Sequence, residues 1–110
     1  MAAETEAEFR RVMANDEALN KLRVQLYQKC LECKVAKCQP SPPKSLGLEE
    51  TNECYRKCFA PVVYQQRYML ESYKQLATAV VAPPPQDINK LAKDLKADYA
   101  SYLDQLINKP

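Results

Sequence analysis

Five cysteines fall between positions 30 and 58 of this 110-residue chain: Cys30, Cys33, Cys38, Cys54 and Cys58. They lie on either side of a proline- and serine-rich stretch, QPSPPKSLGLEET, that no regular element can cross. Cysteines gathered on both arms of such a turn point to a hairpin held covalently or by a metal, and everything else in the chain must be arranged around it.

Charge excludes some partners. Sixteen basic and 14 acidic side chains leave a net charge of +2, interleaved along the chain without a basic run or an aromatic–basic stripe, so no nucleic acid partner is expected. The longest apolar run, LATAVVA before the triple proline, falls well short of the ~20 residues that span a bilayer, so the protein is expected to be peripheral to a membrane at most. The acidic opening MAAETEAEF has neither the arginines of a mitochondrial presequence nor the basic and apolar regions of a secretory signal. Clustered cysteines nonetheless favour an oxidising compartment. The mitochondrial intermembrane space reconciles the two; a cytosolic zinc protein is the rival.

A single glycine, Gly47, and eight prolines, grouped mainly at 40–43 and 83–85, argue for helices separated by proline breaks and against the turn-rich sequence of a β fold. The chain therefore reads as all-α. The TEAE sequence, Thr5 to Glu8, has capping-box spacing, and Phe9, Val12 and Met13 follow on one face. Asn15 and Asp16 interrupt this helix or cap its restart. Leu19, Leu22, Leu26 with Tyr27, Cys30 and Cys33 then recur at helical spacing, and the helix must end near Cys38, ahead of Pro40. A second helix is expected with Thr51 as its N-cap and with Cys54 and Cys58 on one face. Pro61 should bend or divide it before Val62, Val63, Tyr68, Met69, Tyr73, Leu76 and Val80 resume the apolar pattern. After the triple proline, Asp87 can cap a last helix with Ile88, Leu91, Leu95, Tyr99, Tyr102 and Leu106 on one stripe. The organisation is thus a helix–loop–helix unit over 1–82 with its turn at 39–50, a proline connector at 83–86 and a C-terminal helical arm at 87–110, which either folds back or docks on another subunit.

In an antiparallel hairpin, residues equidistant from the turn face each other, so Cys38 should meet Cys54 and an earlier cysteine should meet Cys58. Cys33 matches the register best, with Cys30 opposite Cys58 as the more strained alternative; the first pairing leaves Cys30 as the free thiol. Fifteen residues separate the inner pair, a loop whose closure is worth about 3 kcal/mol in the chain-entropy model. Reduction is expected to unfold the hairpin.

From about Leu19 to Leu76 the chain resembles the small Tim chaperones of the mitochondrial intermembrane space, which carry twin C-x3-C motifs on a helix–loop–helix. The likeness is best in SLGLEETNECYRKC, with an intact C-x3-C at Cys54 and Cys58. The first motif departs from that pattern, reading C-x2-C-x4-C through Cys30, Cys33 and Cys38, and the fifth cysteine, Pro61 and the C-terminal arm depart too. The resemblance implies a hetero-hexamer with other small Tim-like chains, acting as a holdase that shields apolar precursor proteins during inner-membrane import, without cofactor or covalent chemistry. Client or subunit contacts would then fall to Leu19, Leu22, Leu26, Tyr68, Met69, Tyr73 and Leu76, unless these form the hairpin's own core or a subunit interface.

Two further readings compete. Cys30, Cys33, Cys54 and Cys58 form C-x2-C-x20-C-x3-C, enough thiolates for a tetrahedral zinc in a helical hairpin, although zinc sites favour tight turns over the helical QKCLECKVAK. Alternatively, Tyr99 and Tyr102, on an arm behind a stiff proline spacer, suit packing against something outside the hairpin, as in an accessory subunit of a large mitochondrial assembly such as a respiratory complex. Catalysis is not expected: the chain has no histidine, and its C-x2-C lacks the strand–helix setting of a redox enzyme.

Overall fold

A computed structural model of the chain describes residues 2–38, 47–81 and 87–109, and all four elements within them are α-helices. They are α1 (Ala2–Asn15), α2 (Glu17–Cys38), α3 (Leu48–Val81) and α4 (Ile88–Asn108). The turn expected at 39–50 is shorter than that, because α3 begins at Leu48; residues 39–46 and the connector at 83–86 lie outside the described residues.

Helix starts show where local chemistry outweighs a motif. α1 already runs from Ala2, so Thr5 lies inside the helix and not at its cap. Thr51 likewise sits one turn inside α3, with its amide and its hydroxyl both donating to the Gly47 carbonyl at 2.9 Å. The preceding Leu48, Glu49 and Glu50 are compatible with helix, and the two carboxylates favour the positive end of its dipole. Asp87 does cap α4, accepting the Lys90 amide at 3.1 Å.

Asp16 separates α1 from α2. Its carboxylate accepts the Leu19 amide at 2.9 Å, as an N-cap does, and its other oxygen pairs with Lys96 of α4 at 2.5 Å. Those bonds, the Lys96 contact foremost, hold the Asp16 carboxyl below the usual carboxylate range. The open end of α1 is closed by Arg23, whose guanidinium donates to the Met13 and Ala14 carbonyls at 2.9 and 3.3 Å.

α3 is one 34-residue helix that continues through Pro61, about 51 Å at 1.5 Å per residue. The proline ring replaces one amide donor, yet the bridged cysteines before it and the packed residues from Gln65 onwards fix both halves. α2 lies antiparallel to α3, and α4 returns beside both, parallel to α2, giving a body 64 × 25 × 21 Å. The arm therefore folds back. Leu95, Tyr99 and Leu103 of α4 share one core with Phe9, Met13, Leu19, Leu26, Tyr73 and Leu76, so 87–109 is part of the same unit as the hairpin. Among the described residues no helix is long and apolar enough to cross a membrane.

Candidate functional site

Antiparallel pairing of α2 and α3 brings the cysteines together below the core. Cys33 is bonded to Cys58 and Cys38 to Cys54, with Cα–Cα distances of 5.6 and 5.7 Å, well within the range a relaxed bridge requires. This is the pairing that hairpin register favours, and Cys30, buried at 2% exposure, is the free thiol. Burial pushes its thiol up from the ordinary value, against the pull of the Lys29 ammonium.

The two bridges touch. Cys38 Sγ lies 3.8 Å from Cys58 Sγ; neither sulfur carries a proton, so this is van der Waals contact between disulfides. Cys38, Cys54 and Cys58 have their sulfurs within 4.8 Å of one another, whereas the four cysteines expected for zinc are not brought together as a set. Sulfurs bonded to each other offer a metal no thiolate, so the zinc reading does not fit this covalent state. Beside the outer bridge a cavity of about 190 Å³ is lined by Cys30, Cys33 and Cys58 together with Lys29, Lys57 and Lys109.

Of the two readings given for the seven residues, client or subunit contact and the hairpin's own core, the structure matches the core. Leu19, Leu26, Tyr73 and Leu76 are buried in the chain's own core, and Leu22, Tyr68 and Met69 pack against it. Closure by α1 and α4 is the reason: Phe9 meets the Tyr73 ring edge-on at 5.8 Å, and Tyr102 stacks on Tyr68 at 4.4 Å. Tyr99 and Tyr102 thus pack on this chain's hairpin, not on something beyond it. Tyr99 is fully buried, donates its hydroxyl proton to Gln65 Oε1 at 2.5 Å and accepts from Arg23 at 3.2 Å.

What stays open is the outer face of the hairpin. Val24 and Val35 of α2 are 56% and 62% exposed, and Tyr27 between them is half exposed. On α3, Leu48, Val63 and Leu70 are also exposed, and the Tyr27 and Phe59 rings meet at 5.7 Å between the two helices. Sequence reasoning assigned Tyr27 to the core stripe and passed over Val24 and Val35. Their spacing was legible, because Val24, Leu31 and Val35 recur at seven and four residues, a second apolar stripe beside the first. Arg23, Lys29 and Gln65 were missed as well; no local motif marks a side chain whose partner is about 30 to 80 residues away.

No family model, no curated protein and no solved structure matches this chain.

Proposed function

We propose that this chain is a small Tim-like, protein-binding hairpin of the mitochondrial intermembrane space, working without catalysis or cofactor. The observation that carries the proposal is the exposed apolar face of a hairpin whose interior is already closed. Val24, Tyr27, Val35 and Val63 lie open on a surface stapled by two disulfides, and such staples persist in oxidising compartments.

Such a surface serves either of two roles. As an accessory subunit it would seat permanently on a large mitochondrial assembly, a respiratory complex included. As a holdase it would join other small Tim-like chains in a hetero-hexamer and hold apolar precursors loosely. Burial of Leu19, Leu26, Tyr73 and Leu76 favours the first role, because the residues a shifting client groove would use are committed to the chain's own core.

Native size after gentle extraction tests this. An accessory subunit comigrates with a particle far larger than six copies of a 12.6 kDa chain; a holdase runs near that six-copy size. Val24→Glu with Val63→Glu should release the protein from its particle while leaving its helicity unchanged. A wild-type chain that is a stable monomer with reactive thiols ends both readings.

A further inference from the structure

The sulfurs form a string with accessible ends and a buried middle. Cys33 is half-buried, Cys58 and Cys38 are 6% and 4% exposed, and Cys54 is half-buried again. Covalent bonds join the first pair and the last pair, and the 3.8 Å contact joins the middle. Thiol–disulfide exchange requires a thiolate in line with the bond it breaks; Cys58 Sγ lies 3.8 Å from Cys38 Sγ and within 4.8 Å of Cys54 Sγ, side-on to that bond, and release from Cys33 frees its side chain to rotate into line.

We propose that Cys33, Cys58, Cys38 and Cys54 form a disulfide-exchange conduit for low-molecular-weight thiols such as glutathione, entered at Cys33 and left at Cys54. The inference stands apart from the docking function. In the first step the small thiolate attacks Cys33 Sγ: a mixed disulfide forms there, the Cys33–Cys58 bond breaks and its electron pair leaves on Cys58. In the second step the Cys58 thiolate attacks Cys38 Sγ: a Cys38–Cys58 bond forms, the Cys38–Cys54 bond breaks and the pair leaves on Cys54. Two disulfides and one thiolate are present before and after, so no oxidant or reductant is consumed.

Local chemistry sets the direction. Cys33 is the accessible sulfur of the outer bridge, and the cavity beside it carries Lys29, Lys57 and Lys109, a cationic setting for an anionic thiol. Cys38, whose sulfur receives the second attack, is the last residue of α2. Cys30 stays outside the string, buried and held protonated.

Two variants approach the buried step from opposite sides. Cys33→Ser starts with a free Cys58 beside the intact Cys38–Cys54 bridge; Cys54→Ser starts with a free Cys38 beside Cys33–Cys58. Each is held at pH 8 under native conditions, acid-quenched, alkylated and peptide-mapped. Both should converge on a Cys38–Cys58 bridge, with the alkyl label moving from Cys58 to Cys54 in the first and from Cys38 to Cys33 in the second. Wild-type protein treated with glutathione should carry the mixed disulfide on Cys33 and the label on Cys54, which keeps the test independent of either variant's stability. The conduit is overturned if the label stays on Cys58 in Cys33→Ser and on Cys38 in Cys54→Ser. A new bridge that includes Cys30 also overturns it, since exchange would then run through that thiol, which lines the same cavity as Cys33 and Cys58, and not along the string.

Discussion

The two ends of this rod are held by different physics. Around Tyr73, Leu76 and Tyr99 four helices converge, and stability comes from buried apolar surface closed by α1 and α4. Below Cys30, among the described residues, only α2 and α3 continue past the end of α4; there the covalent bridges do what a core does above. A pair of helices cannot bury enough surface to stay together unaided, so the sulfur occurs where a third helix is missing. The contrast explains why the four bridged cysteines fall between positions 33 and 58.

The sharpest way to break the contrast is to damage the packed end. Leu76→Ala removes a fully buried side chain and should lower stability by about 3–4 kcal/mol in urea titration, with the bridges intact. A loss below about 1 kcal/mol would show that the disulfides carry both ends. Next in size, Cys38→Ser with Cys54→Ser should lower stability by about 3 kcal/mol. Hydrogen exchange locates the effect: amides near residues 34–38 and 48–56 should lose protection first, while those of α4 keep theirs. Simultaneous loss at both ends would mean that the rod is one cooperative unit.

Tyr99→Phe probes the polar seam inside the packed end. It takes away the proton given to Gln65 and the oxygen offered to Arg23, leaving both with a lost partner, at about 1–2 kcal/mol by thermal or urea unfolding. Gln65→Leu combined with Tyr99→Phe should recover part of that loss, because no buried amide is then left unsatisfied. The smallest effect is set by pH. The Asp16 carboxyl is depressed in the folded chain, so its contribution is present above about pH 4, the ordinary carboxylate value, and fades as pH falls through the lowered folded value. Asp16→Asn should flatten that acid limb of the stability profile while leaving the neutral-pH effect of Leu76→Ala unchanged.

Much of this was legible in the residues. Proline placement located the ends of α2 and α3 but misled at Pro61, through which α3 continues; helical spacing found the stripe from Leu19 to Leu26, and equal distance from the turn favoured the pairing of Cys33 with Cys58 and of Cys38 with Cys54. Tertiary reach was not legible. The stripe on α4 is apolar whether it closes its own hairpin or another chain's, and Tyr99 shows the difference only through Gln65 and Arg23, which look like ordinary surface residues in the linear sequence. For the same reason the seven residues read as contacts or as core could not be told apart, and they lie in the core or against it: periodicity says that a face is covered, not by what. The open face was hidden in turn, because the core stripe of α2 drew Tyr27 into it and left Val24 and Val35 unread.

One lysine draws the border between the two regimes. The Lys29 ammonium donates to the Leu106 and Ile107 carbonyls at 3.3 and 2.8 Å and also to that of Lys109, so it terminates α4 level with Cys30. An amine in that place works as a ruler. It marks how far the third helix descends, and so how many turns of hairpin are left for sulfur to hold.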